Sequence, residues 1–232
     1  MVKIAYTEKD FETFQKNELK ETDTFRFGCK MCGNCCRKRQ EPILITGADI
    51  FRIAKALGET IEDTIIENTR GYIGDTSHCP VVVLKERLDG SCRLLRKGRC
   101  MVQENKPVPC ALFPLGRYFD MRDKKYHYFI NEKSCTAGCQ SDEEWTLREW
   151  LDKFRIEETE EMTAAWHTLF TGICAVTHKM GKKEIQGHIL DAMLGALYFN
   201  YDLNRPYNEQ VEDNKNAVRA VFKRELNKIL EF

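Results

Sequence analysis

The 232-residue sequence has no apolar run near the roughly 18–20 residues that a membrane-spanning helix needs. Its first ten residues, Met1 to Asp10, contain no apolar stretch of signal-peptide length. Net charge is also missing: 36 basic residues face 36 acidic ones, so no bulk field draws the chain to nucleic acid or to an anionic membrane. The expectation is a cytoplasmic protein with neither nucleic-acid nor membrane partners. Neither a Gly-rich phosphate loop nor a dinucleotide fingerprint occurs. A radical S-adenosylmethionine enzyme would carry Cys-x3-Cys-x2-Cys, but the windows at Cys32/Cys36 and Cys135/Cys139 lack the third cysteine. Internal repeats and low-complexity tracts are absent too.

What is present in excess is cysteine. The chain has eleven, and ten of them fall between Cys29 and Cys139, about 9% of that stretch, a density that signals a cysteine framework rather than core filling. In a reducing cytoplasm thiols stay thiols, so the cluster reads as metal or redox ligands before disulfides. The adjacent pair Cys35-Cys36 agrees, because bridging neighbours would close a strained ring.

Composition changes near Ser141. Cysteines, glycines, prolines and short apolar runs precede it; about ninety residues of helix formers with one cysteine follow. The expected division is a cysteine-rich region 1–140 and a helical region 141–232. In the first, Thr46 and Asp49 form a capping-box signature for a helix carrying Ile50, Ile53, Ala54 and Leu57 and stopped by Gly58. Thr60 opens a second, with Ile61, Ile65 and Ile66 as its buried stripe and Gly71 as its end. From Cys79 to Pro114 the Val81-Val82-Val83 run, the turns Asp89-Gly90 and Lys97-Gly98 and three prolines predict short strands and loops without helix. Tyr126–Ile130 reads as a strand. Beyond it, Ser141 caps a helix through Trp145, Leu147, Trp150 and Phe154, and three more span roughly 159–179, 182–201 and 207–232.

The first cysteine group, Cys29-x2-Cys32-x2-Cys35-Cys36, has ligand spacing: two intervening residues let a tight turn bring both sulfurs to one metal, and Gly33-Asn34 supply the backbone freedom. Cys-x2-Cys-x2-Cys matches the first three cysteines of the bacterial ferredoxin pattern, which a remote cysteine completes. A zinc ribbon would show two separated Cys-x2-Cys pairs, and the second is missing. Cys79, Cys92, Cys100, Cys110, Cys135 and Cys139 follow at looser spacing. Ten thiols suffice for two four-cysteine sites with two left over. Lys30, Arg37, Lys38 and Arg39 crowd the first group, and Arg93, Arg96, Lys97 and Arg99 the second; such cations stabilise thiolates, although solvated surface charge is the commoner meaning of any one.

The run Phe27-Gly28-Cys29 to Cys36, the block Leu44–Gly58 and the block Gly98–Pro114 together resemble the YkgJ-type cysteine-cluster family, which is described as zinc- or iron-chelating and includes flagellin lysine N-methylases longer than this chain. The resemblance covers about residues 25–140. It implies metal or iron–sulfur ligation by Cys29, Cys32, Cys35, Cys36, Cys79, Cys100 and Cys110. The sequence departs from the family in having Lys106-Pro107 where Arg-Pro is usual, and Ala111 where an arginine is usual. Cys92, Cys135 and Cys139 join the candidate ligands on local reasoning.

His167, Thr171, Cys174 and His178 share one face of the long helix by their spacing, which could ligate metal or shuttle protons but more often marks a packed face. His78 and His127 could each replace a thiolate, though a hydrogen-bonded structural histidine is the more frequent outcome. Trp145, Trp150, Phe154, Trp166 and Phe170 are read as core. The fold expected is α+β, mostly α: a loop-rich, metal-organised N-terminal region packed on a C-terminal helical bundle. The function expected is a metal-binding cysteine-cluster protein holding iron–sulfur, [4Fe-4S] first, in redox chemistry or as the core of a modification enzyme, with a protein substrate or redox partner. A protein lysine N-methylase-like enzyme and a zinc-stabilised interaction module are the alternatives.

Overall fold

The computed structural model describes residues 8–30, 32–37, 42–131, 138 and 140–226. The fold is α+β and mostly α, with small sheets between the helices. No helix among the described residues is long and apolar enough to cross a membrane. Two compact units divide the chain, each made of two stretches: Met1–Ile43 with Leu84–Glu160, and Leu44–Val83 with Glu161–Phe232.

In the first unit, Leu115–Asp120 and Lys125–Ile130 form an antiparallel hairpin that pairs Arg117 with Tyr128 and Leu115 with Ile130. Lys124, at φ 57, turns its tip. Thr24–Arg26 pairs antiparallel with Glu144–Thr146. That pairing moves the next helix: the cap expected at Ser141 lies five residues on, where the Thr146 hydroxyl accepts from the Glu149 N–H at 3.1 Å and the Glu149 carboxylate accepts from the Thr146 N–H at 2.8 Å. The helix Leu147–Lys153 then buries Trp150 to 2% exposure, its indole N–H donating to the Leu112 carbonyl at 3.0 Å. Phe25 and Phe27 meet that ring edge-on, at 5.5 and 5.7 Å between centroids. The span read as free of helix holds a short one, Val108–Leu112; its prolines at 107 and 109 sit at the helix start, where a missing N–H costs nothing.

In the second unit, Thr46 and Asp49 complete the expected capping box, and Gly58 ends Gly47–Leu57 in the left-handed conformation at φ 68. The next helix stops at Asn68 instead of Gly71, because Thr69–Ile73 leaves as a strand beside Pro80–Leu84. Its buried face is Ile61, Thr64 and Asn68, one turn apart, whereas Ile66 is 64% exposed. Pro80–Leu84 is buried along its length between Leu44–Ile45 and Thr69–Ile73, which suits its unbroken β-branched run. Against this pack the helix Ile156–Thr177 from Glu161 onward, the helix His188–Leu194 with a π-helical turn at Gly195–Phe199, and Tyr207–Leu226. Ile50, Ile53, Leu169, Ile173, Met193, Leu197, Tyr198 and Phe222 fill the core.

Gly47 is required by proximity. A Cβ there would overlap the Leu197 carbonyl oxygen, which accepts the Trp166 indole N–H at 2.8 Å, and would press on the indole ring. Gly47→Ala is expected to destabilise the protein by about 1–3 kcal/mol through overpacking. Urea unfolding followed by tryptophan fluorescence checks this, and an unchanged midpoint would contradict it.

Candidate metal centre

Every described cysteine of the expected ligand set except Cys79 lies in the first unit. The local chain explains how they gather. Gly33 adopts φ 72, which a side chain would strain, and the turn it makes is closed by the Cys36 N–H donating to the Gly33 carbonyl at 3.0 Å. The following 3-10 turn, Asn34–Cys36, presents Cys35 and Cys36 together, with their sulfurs 3.8 Å apart. The second group docks on this turn through its backbone. The Cys92 N–H donates to the Cys36 carbonyl at 2.7 Å, and Arg37 bridges Ser91. Cys100 closes the hairpin of Leu95–Arg96 and Arg99–Cys100, whose tip turns at Lys97 and Gly98, both at positive φ. Cys110 sits in the helix Val108–Leu112.

Electrostatics tie these thiols together. The Cys35 thiol is pushed far above the ordinary cysteine value, first by its hydrogen bond with Cys36, then by burial, then by the repulsion its thiolate would meet from Cys36, Cys110 and Cys29. Cys100 is raised by burial, with Cys36 and Cys92 adding to the shift while the Val102 N–H and Lys106 oppose it. Thiolates crowded in this way repel one another; a divalent or ferric ion among them would invert the sign and hold them deprotonated. The donor set therefore fits a metal. Cys135 and Cys139 lie outside the described residues. Between them in sequence, Gly138 is described, and its carbonyl accepts the N–H of Gly28, the residue before Cys29, at 3.0 Å.

Residues 28–136 match the family model CxxCxxCC, described as "Putative zinc- or iron-chelating domain". This segment belongs to that family. The CxxCxxCC segment covers just under half of the chain and contains every gathered thiol named above, so the first unit's cysteines are those of a metal-binding cysteine cluster. No curated protein and no solved structure matches the chain.

Other candidates fall elsewhere. Cys79 belongs to the second unit, where its sulfur lies 2.9 Å from that of Cys174. His167, Thr171 and His178 are satisfied by their own helix turns, at the carbonyls of Thr163, His167 and Cys174 respectively. His78 Nδ1 meets the Thr177 carbonyl at 3.2 Å. His127 is held by Glu18 at 2.7 Å and Asp123 at 3.0 Å, one carboxylate on each ring nitrogen, so the Asp120–Asp123–His127 group spends its imidazole on ion pairs.

Sequence reasoning did not single out Arg87. Its guanidinium donates to the carbonyls of Cys92, Arg93 and Leu95 at 2.5, 2.6 and 2.9 Å, and so clamps the loop that carries Cys92. The only sequence signal was the Asp89-Gly90 turn, which brings Arg87 back over that loop. Arg87→Ala leaves three carbonyls without this donor and is expected to weaken metal retention about 10–100-fold, the usual effect of losing a group that orients a ligand. Competition with a chromophoric chelator measures it.

The histidine gives a pH signature. Glu18 and then Asp123 raise the folded-state value of His127 above its ordinary 6.5, against a partial burial penalty. The stability it contributes is complete below about 6.5 and is lost as pH rises through the higher folded value. His127→Gln should remove that part of the pH dependence of thermal unfolding between pH 6 and 8, and a wild-type profile flat over the range would refute the assignment.

Proposed function

We propose that the chain is a cytoplasmic metalloprotein whose first-unit thiolates hold an iron–sulfur cluster, for redox work or as the core of a protein-modifying enzyme. The observation that carries this reading is the gathering of Cys36, Cys110 and Cys29 within electrostatic reach of Cys35, with Cys92 bonded to Cys36 through its backbone and Cys100 within reach of both. Cys32 stands on the same loop as Cys29 and Cys35. A closed mononuclear site would bring four sulfurs to about 3.8 Å from one another, given a metal–sulfur bond of about 2.3 Å and tetrahedral angles. Among the described residues no third thiol joins Cys35 and Cys36 in a group within 4.8 Å. That wider spacing suits a polynuclear centre, and Cys-x2-Cys-x2-Cys favours [4Fe-4S].

Zinc is the second reading, and one observation favours it: the 3.8 Å between Cys35 and Cys36 is the edge of a tetrahedron about a single ion. Either group, when bound, would neutralise the thiolates, and an iron–sulfur cluster would add a one-electron redox couple. The chain's own residues do the rest. Arg87 orders the Cys92 loop, and the exposed Arg93, Arg96, Lys97 and Arg99 surround Cys92 and Cys100 with positive charge. That charge suits an acidic face on a redox partner or protein substrate.

Anaerobic purification followed by a visible spectrum and by iron, zinc and acid-labile sulfide per chain tests the proposal. Brown protein with iron and sulfide in near-equal amounts supports the cluster; colourless protein with stoichiometric zinc overturns it and leaves the thiols as scaffold. Cys35→Ser and Cys110→Ser should each lower bound metal by half or more. Cys79→Ser, whose sulfur has partners in its own unit, should leave metal content unchanged.

A further inference from the structure

Cys79 and Cys174 are 95 residues apart in sequence, and Cys174 falls outside the CxxCxxCC segment. The turn before Pro80–Leu84 is stitched to the last turn of Ile156–Thr177. The Thr177 hydroxyl donates to the Ser77 carbonyl at 2.6 Å and lies 3.2 Å from the Cys79 sulfur, and the Thr177 carbonyl meets His78 Nδ1. His78 takes a left-handed φ of 56 to make this turn. The stitching delivers the Cys79 sulfur onto Cys174, one helical turn before Thr177.

At 2.9 Å the two sulfurs are nearer than the roughly 3.5–4.0 Å at which even carbon atoms pack. They are also too near to share a metal ion. With bonds of about 2.3 Å, a 2.9 Å separation would force a sulfur–metal–sulfur angle of about 78°, far below tetrahedral. The contrast with the 3.8 Å of Cys35 and Cys36 is direct.

We propose that Cys79 and Cys174 form a redox-active dithiol in the second unit, closed to a disulfide by a low-molecular-weight disulfide and reopened by the matching thiol. The burial of the two thiols sets the order of events. Cys79 is fully buried while Cys174 is half-buried, so the small disulfide meets Cys174 first. The Cys174 sulfur, on losing its proton, attacks one sulfur of the reagent; the reagent's S–S bond breaks, a mixed disulfide forms and one small thiolate leaves. Cys79 then attacks the Cys174 sulfur and expels the second small thiolate. Two electrons pass from the protein thiols to the reagent, and the two protons of Cys79 and Cys174 end on the two released thiols. The 2.9 Å approach of the two sulfurs places Cys79 against the Cys174 sulfur for this closing attack.

The test uses the full chain, equilibrated in glutathione buffers of graded oxidised-to-reduced ratio, quenched by alkylation, digested and read by mass spectrometry. The expected result is a peptide pair linked through Cys79 and Cys174, lighter by two hydrogens than the separate thiols, growing with the oxidised fraction and lost on addition of excess thiol. Cys79→Ser should instead trap glutathione on Cys174. This variant needs a far-ultraviolet circular dichroism control, but the linked peptide is read on wild-type protein and depends on no variant folding. Three results would overturn the proposal: both thiols alkylated in the most oxidising buffer, a linked peptide that forms only after guanidinium unfolding, or protection from alkylation that a chelator removes. Metal content of the first unit enters none of these readouts, so the dithiol and the metal centre stand or fall separately.

Discussion

Thiolates repel one another, and that constraint organises the first unit. Cys36, Cys110 and Cys29 raise the proton affinity of Cys35, and Cys36 and Cys92 add to the burial that raises Cys100. Left to themselves such groups hold their protons and pack as weak hydrophobes. A cation turns the same crowding into binding energy, because every repulsion between thiolates becomes an attraction to a shared centre. The surrounding chain is built to hold that crowding in place: Gly33 for the turn, the Cys92–Cys36 backbone bond, the Arg87 clamp, and Trp150 with Phe25 and Phe27 as an apolar anchor nearby in the same unit. Arg87 acts on backbone carbonyls rather than on sulfur, so it orders the loop without competing for the metal.

Much of the centre was legible in the sequence, because ligand spacing is a local property. Cys29-x2-Cys32-x2-Cys35-Cys36 states its turn chemistry within eight residues, and the capping pair Thr46 and Asp49 its helix start within four. What failed to show depended on distant partners. Thr24–Arg26 takes Glu144–Thr146 into a strand and shifts a helix start to Thr146, although Ser141 looked an adequate cap. Thr64 and Asn68 are buried with Ile61 while Ile66 faces solvent, and the hydrogen bond from the Thr64 hydroxyl to the Glu59 carboxylate lowers the cost of burying Thr64. Cys174 is the clearest case. Helical spacing grouped it with His167, Thr171 and His178, yet those three bond back to their own helix and Cys174 alone reaches another cysteine, through the stitching of Thr177 to Ser77.

The interleaving of the two units sets a timetable for biosynthesis. Cys29 to Cys36 leave the ribosome first, then the Leu44–Val83 stretch of the other unit, and only afterwards Cys92, Cys100 and Cys110. Seventy-four residues separate Cys36 from Cys110. At translation rates of roughly 5–20 residues per second the early thiols wait about 4–15 s for their later companions. During that interval the nascent chain offers a Cys-x2-Cys-x2-Cys-Cys loop with its turn already encoded and its remaining ligands unmade. Such a loop is open to whichever donor of metal or cluster reaches it first, so supply during synthesis, as much as affinity afterwards, selects the ion that the finished protein carries.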